Sequence, residues 1–546
     1  MNSLWLLVVG IILFILAYVS YGGYLAKKWG IDPKRETPSH TKYDNIDYVP
    51  TNSKVLLGHH FSSIAGAGPI AGPIQAAIFG WLPVYLWIII GSIFVGGVHD
   101  FGSMFASVRH DGKSIGEIIK STIGKRGKIL FNLFAWLALV LVVAAFTDIT
   151  ASTFAFDQAK PELLAGARAG TASVLFIALA VIFGFAVYRK GAGLAVSSVA
   201  GVILLFICVY IGYIFPIFKF SKLTWQIILL IYITFASILP VWLLLQPRDY
   251  LSSFLLYAMV IGAILGIIIT HPTLQISATT AFTVGEGAKA QYLFPILFVT
   301  VACGAVSGFH SLVGSGTSSK QIDKEEDTKL IGYGAMLIEG VVAIIALISV
   351  AYVAKAEGTP ASIFASGVAE FMSSFGVPVQ VGKVFVTLAF ASFALTSLDT
   401  ATRIARYIFQ EFFEEVGKGK KSILTNTYVA TIVTVAASIG LLVYGYTNIW
   451  PIFGASNQLV AGLSLLALTA WFAKTGKKTI MTLIPMIFMF CVTLTALVIL
   501  IRNFFIGGKT VLLVVAVLLL VLAIVLIIET ATTFKNVKTK SGNIKA

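Results

Sequence analysis

Charge is what this sequence most lacks. Asp, Glu, Lys and Arg supply 12% of its 546 residues and hydrophobic residues 58%, where an ordinary soluble protein is about 25% charged. A chain this long in water would form roughly three or four domains, and it has too few charges to cover them. A soluble enzyme is excluded. Cysteine is as scarce: Cys208, Cys303 and Cys491 lie far apart, each in an apolar run, which excludes a disulfide framework or a Cys-based metal site. There is no His-Glu-x-x-His and no Gly-x-x-x-x-Gly-Lys-[Ser/Thr] motif, so neither a metalloprotease helix nor an ATP-binding loop is expected. No metal and no cofactor is expected. No Pro-, Ser- or Gln-rich linker divides the chain, and no stretch is long enough for a separate soluble domain.

Long apolar runs are what it has instead. A bilayer-spanning helix needs about 20 mainly apolar residues. The pattern predicts an all-α polytopic membrane protein with fifteen spans, near 4–26, 58–80, 84–107, 129–155, 172–188, 194–215, 225–245, 251–270, 291–317, 331–354, 382–411, 426–445, 451–473, 480–500 and 510–530. The first is too long for a signal peptide and its start, Met1-Asn2-Ser3, carries no positive charge. The polar stretches 27–54 and 355–380 are expected to be loops, and the Lys-rich tail after Thr533 to be disordered.

The formal charge is +15, from 39 Lys and Arg against 24 Asp and Glu. Placing the loop that holds Arg109, Lys113, Lys120, Lys125, Arg126 and Lys128 in the cytoplasm and alternating from there puts 30 of the 39 basic residues inside. That separation predicts an outside N-terminus and a cytoplasmic C-terminus. Topology accounts for the positive charge, and no nucleic-acid partner is needed.

Two runs break the apolar pattern with Gly and Pro. One is Gly58-His59-His60-Phe61-Ser62-Ser63-Ile64-Ala65-Gly66-Ala67-Gly68-Pro69-Ile70-Ala71-Gly72-Pro73; the other runs from Gly304 through Ser307-Gly308-Phe309-His310-Ser311 to Gly314-Ser315-Gly316-Thr317. At an offset of 248, Phe61-x-Ser63-x-x-Gly66-x-Gly68 matches Phe309-x-Ser311-x-x-Gly314-x-Gly316. The third span counted from each carries one aspartate, Asp148 and Asp399, at an offset of 251. Seven spans separate corresponding elements, an odd number, so the halves would be inverted, the pattern of secondary transporters with discontinuous helices. The division expected is a first span and cytoplasmic loop (1–57), inverted repeats over 58–290 and 291–530, and a tail (531–546). The plainer alternative for each Gly-rich run is small-residue packing between helices.

Unwound backbone persists in a membrane only beside a protein-lined cavity, and a half-helix N-terminus there presents free N–H groups to an anion. His59, His60, Ser63, Gly66, Gly68, His310, Ser311, Gly314 and Gly316 are therefore the candidate substrate-binding residues. Ionisable groups inside spans are functional candidates by default. Asp148, Glu339 and Asp100 are candidates for proton coupling, Asp148 and Glu339 being the carboxyls with no nearby base in sequence. His99-Asp100 is expected near the cytoplasmic end of its span. Thr396, Ser397, Asp399, Thr400 and Arg403 form a candidate gate or alternative cation site: hydroxyls and a carboxylate suit Na⁺, yet Arg403 one turn on would repel a cation or pair with Asp399. The run Pro247–Tyr250 is expected to begin an inside loop.

The string Asp47-Tyr48-Val49-Pro50-Thr51 with the Gly58–Pro73 run resembles the signature of the carbon starvation (CstA) peptide-transporter family. So do Gly97-Val98-His99-Asp100-Phe101, Arg109-x-Asp111-Gly112-Lys113-Ser114, Leu239-Pro240-Val241-Trp242-x-x-x-Gln246-Pro247-Arg248-Asp249-Tyr250 and Asp399-Thr400-Ala401-Thr402-Arg403-x-Ala405-Arg406-Tyr407. No such string follows about residue 450. The resemblance implies an inner-membrane nutrient importer active under carbon starvation, its members linked to short peptides and to pyruvate taken up with protons. It also implies the amino acid–polyamine–cation (APC) superfamily fold; the seven-span spacing leaves either inserted helices in each half or a 7+7 core. The reading is a proton-coupled importer of a pyruvate-like carboxylate, with di- and tripeptides as the alternative. A channel, and an intramembrane metalloenzyme using His59, His60, His99 and His310, are the rivals.

Overall fold

Backbone polar groups cannot stay unpaired in hydrocarbon, and this chain meets that demand with helices. A computed structural model describes residues 2–45, 47–159, 163–240, 243–285, 290–353, 358–417 and 422–542. In chain order the helices are α1 (Leu4–Trp29), α2 (Ser53–Ile64), α3 (Gly68–Ala76), α4 (Trp81–Arg109), the short α5 (Ile115–Thr122), α6 (Lys125–Phe154), α7 (Leu164–Val187), α8 (Ala195–Ile214), α9 (Lys222–Ile238) and α10 (Leu245–Thr270). A two-stranded hairpin, β1 (Thr283–Val284) with β2 (Gln291–Tyr292), precedes α11 (293–300), α12 (Gly308–Gly316), α13 (Lys329–Tyr352), α14 (Pro360–Ser373) and α15 (Val379–Val416). The last four are α16 (Thr427–Leu442), α17 (Thr447–Lys474), α18 (Ile480–Ile506) and α19 (Thr510–Gly542).

Among the described residues eleven of these are long and apolar enough to cross a membrane, and α9 and α16 are shorter apolar helices. The chain is a multi-pass membrane protein. Polarity sorts the helices into layers. The segments with buried Ser, Thr, Asn, Asp and Glu (α13, α15 and α17) are enclosed, whereas α1, α8 and α19, nearly uniform in Leu, Ile and Val, lie mostly exposed.

Several loop expectations fail. Residues 360–373 form α14, because Phe364, Val368 and Phe371 recur at helical spacing and bury against α10 and α15. Pro247–Tyr250 is no loop either: it lies in the first turns of α10, and Arg248 and Asp249 are buried. Arg248, like the buried Arg406, therefore does not count as a loop charge. The tail expected to be disordered continues α19 as helix to Gly542. Val241 and Trp242 of the family motif lie outside the described residues.

Candidate functional site

Helix α2 ends at Ile64 and α3 begins at Gly68, with Ala65 leaving helical geometry between them. The second interruption separates α11 from α12 over residues 301–307. The two are in backbone contact: a side-chain carbon at Gly72 would lie 2.7 Å from the Thr300 carbonyl oxygen, and one at Gly68 would collide with Cys303. The 248-residue echo marks different places in each. Phe61 and Ser63 lie in the half-helix before its break, whereas Phe309, Ser311 and Gly314 lie in the half-helix after its own. Gly314 and Gly316 are thus not break residues. A side-chain carbon at Gly314 meets only ordinary contacts, and at Gly316 it meets open space.

Side chains from α4 and α17 satisfy the backbone freed by the second break. Trp87 Nε1 donates to the Val301 carbonyl (3.2 Å), Ser92 Oγ to that of Gly304 (3.2 Å) and Gln458 Nε2 to that of Phe298 (2.6 Å). The Phe309 N–H donates to Asn457 Oδ1 at 2.9 Å. One N–H of α12 expected to await an anion is therefore already capped, whereas the N-terminus of α3 carries no side-chain cap. At the first break Ser397 Oγ donates to the Ser63 carbonyl at 3.3 Å.

A fully buried ionisable cluster lies against both breaks. His310 Nδ1 is 2.7 Å from Asp100 Oδ2, and His310 Nε2 is 3.3 Å from Glu339 Oε2. The latter pair is within ion-pair range but lacks hydrogen-bond alignment, and among the described residues neither Glu339 oxygen has a hydrogen-bond partner. His99 Nδ1 takes the other Asp100 oxygen at 2.6 Å. Asp100 is thus an interior residue rather than one at a span's end. π-helical turns at Ser92–Gly96 in α4 and Lys329–Gly334 in α13 shift the register just ahead of Asp100 and Glu339. His60 Nδ1 is 2.8 Å from Ser318 Oγ, while His59, half-buried on the other side of α2, has Asp249 as its charged neighbour. The rings thus reach different partners. Among the described residues no three His, Cys, Asp or Glu groups are placed to share a metal ion.

A second buried cluster corrects the expected Asp399–Arg403 pairing. The partner of Asp399 is Arg248, whose Nη1 donates to Asp399 Oδ2 and to the Tyr232 hydroxyl. Arg248 Nη2 donates to Asp249 Oδ1 (3.0 Å) and Thr396 Oγ1 (3.1 Å), and Tyr232 donates to Asp399 at 2.8 Å. Arg403 turns away and donates to the Ala236 and Leu239 carbonyls at the end of α9, where an ending helix leaves acceptors free. Thr400 is half-buried on α15. Asp148 is encumbered after all: Lys222 Nζ lies 2.8 Å from it and Gln226 Nε2 donates at 2.6 Å. Ser63 and Ser311 bond within their own helices, to the His59 and Gly308 carbonyls, and Ser311 also to Ser464 at 2.9 Å. Sequence reasoning missed Trp87, Tyr232, Arg248, Ser318, Asn457 and Gln458. The Leu-x-Gln-Pro-Arg-Asp run alone carried a signal for one of them.

The model of the family described as carbon starvation protein CstA matches residues 2–358 and 351–496. The chain belongs to this family. Among curated relatives, the peptide transporter CstA of Escherichia coli is 33% identical across 91% of this chain and 80% of its own length. That of Bacillus subtilis is 33% identical across 93% of this chain and 92% of its own. The pyruvate/proton symporter BtsT of Escherichia coli is 32% identical across 91% and 81%.

Proposed function

We propose that the chain is a secondary-active transporter rather than an enzyme, importing a small carboxylate-bearing nutrient of the pyruvate type with protons across the bacterial inner membrane. The observation that carries this is His310 held between Asp100 and Glu339 at the contact of two broken helices. A buried histidine between two carboxyls can take and release a proton with little movement of heavy atoms. Glu339, without a hydrogen-bond partner among the described residues, is the group to which a proton would bring one; Asp148, already paired with Lys222, drops to a structural role. The N-terminus of α3, which carries no side-chain cap, is the place for the carboxylate once Gly66 and Gly68 part from Ser397 and Cys303, which fill that space in this closed arrangement. Protons are favoured over sodium because the oxygens of Thr396 and Asp399 already hold the Arg248 guanidinium.

In this reading α2–α3 and α11–α12 begin two inverted halves, 58–290 and 291–530. The eleven long, two shorter and two broken helices give fifteen crossings, with the N-terminus outside and the C-terminus cytoplasmic. The second reading, import of di- or tripeptides, is favoured by the relatives named as peptide transporters. Counterflow in proteoliposomes with pyruvate and a panel of di- and tripeptides, under imposed pH and sodium gradients, decides between them. Uptake that needs sodium and ignores the pH gradient rejects the coupling assignment.

A further inference from the structure

Helix α2 enters its break from residues 30–52, and α12 leaves its break into residues 317–328, so both half-helices open on one face. On that face the two segments are fastened together. Thr37 Oγ1 and Ser39 Oγ donate to the Ile322 carbonyl at 2.6 and 2.8 Å, and Thr51 N–H donates to the Gln321 carbonyl at 3.1 Å. His40 and Asp323 pair at 2.8 Å. Glu36 and Lys324 are antiparallel bridge partners. Arg109, the last residue of α4, grips Glu325 with both its Nε and Nη2 and also donates from Nη2 to the Gly30 carbonyl at 2.9 Å. Glu325 accepts in addition from the Asp32 N–H at 2.8 Å and is fully buried. Trp29, buried against Phe101, Phe105 and Phe472, anchors the first segment, and Lys477 donates to its carbonyl.

We propose that residues 29–40 and 318–325 form a latch closing this face of the path between the two breaks, with Arg109–Glu325 as its bolt and His60–Ser318 as its link to the His310 cluster. The proposal rests on the transporter reading above. Three features carry it. The fastening uses side-chain bonds and isolated backbone bridges rather than a continuous helix or sheet ladder, so it can part without unfolding either broken helix. Arg109 is already partly exposed (19%) while Glu325 is fully buried beneath it, so parting the segments must hydrate Glu325 as Arg109 leaves, because a carboxylate left buried without its cation is costly. Finally, the same turn that carries the latch, Ser318–Lys320, holds His60, which lies one turn before the first break. Helix α12, which carries His310, also runs directly into this turn, so movement of the His310 cluster and movement of the latch are joined through the chain.

The test uses the full chain in proteoliposomes, with Cys208 and Cys491 changed to Ser. Bridge partners lie close enough for a disulfide, so Glu36→Cys with Lys324→Cys locks the latch. Gly314→Cys serves as reporter, since a side-chain carbon there fits 3.9 Å from His60. A membrane-impermeant maleimide applied from the Arg109 face should label it at least tenfold more slowly in the oxidised, cross-linked protein, with recovery on reduction. In a separate chain without the lock, Glu325→Gln should raise the rate at least fivefold. Read at the position-314 peptide by mass spectrometry, so that the freed latch thiols do not count, equal labelling in cross-linked and reduced protein, no labelling in either form, or an unchanged rate in a folded Glu325→Gln variant overturns the latch. If Glu325→Gln fails to fold, the disulfide pair decides alone. Absent pyruvate or peptide uptake with latch-dependent labelling intact rejects the transported substrate and leaves the latch standing.

Discussion

Gly72 and Thr300 touch backbone to backbone: any side-chain carbon on the first would come within 2.7 Å of the carbonyl oxygen of the second. Gly66 has no more room, being pressed between Ser397 and Phe146. Gly66→Ala and Gly72→Ala should each destabilise the protein by about 1–3 kcal/mol, the range for overpacking a filled interior, and should abolish uptake. Gly316→Ala, facing open space, should leave melting temperature and uptake unchanged. Thermal unfolding in detergent beside proteoliposome uptake checks all three.

Glu339→Gln preserves shape and removes the titratable oxygen beside His310. It should keep substrate counterflow while losing the stimulation of uptake by an inward pH gradient. Loss of counterflow and gradient response together would instead give Glu339 a structural role.

Arg248 holds two buried carboxyls from α10 and α15. Arg248→Met leaves Asp249 and Asp399 without their cation and should cost about 3–5 kcal/mol, as breaking a buried pair does. Asp148→Asn should cost less than about 1 kcal/mol, because its partner Lys222 is half in solvent and Gln226 can still bond the amide. Denaturant or thermal unfolding of the two variants ranks them directly.

Asn457→Leu removes the acceptor of the Phe309 N–H and the partner of Ser307. Leaving those groups buried and unmatched should cost about 1–3 kcal/mol and lower uptake with no change in its pH profile. A changed profile would tie Asn457 to coupling instead.

Much of this was legible in the chain. Apolar runs of span length located the helices, and Gly and Pro inside them located both interruptions, since those residues weaken helices at short range. His310, Asp100 and Glu339 stood out because ionisable groups in apolar sequence need a reason. What could not be read was pairing at distance. Asp399 has Arg403 one turn away in sequence, yet its bond runs 151 residues back to Arg248, and Asp148 reaches forward 74 residues to Lys222. Helix spacing describes neighbours on one helix and says nothing of the facing one. Segment 360–373 was misread because its polar flanks diluted a short buried face. The 248-residue echo misled in another way: small residues recur wherever backbones approach closely, whether or not the chain breaks there.

The second interruption depends on groups that a ribosome delivers late. The Phe298 carbonyl waits for Gln458, 160 residues further on, and the Phe309 N–H for Asn457, 148 residues further on. Until α17 has been synthesised, the Phe298 carbonyl and the Phe309 N–H lack these partners, while Trp87 and Ser92 of α4 already reach the Val301 and Gly304 carbonyls. The expected order of assembly follows: the segment closes only after its late partner emerges. A nascent chain arrested before residue 457 should hold 293–316 open to aqueous probes, and one arrested well past residue 474 should hold it closed.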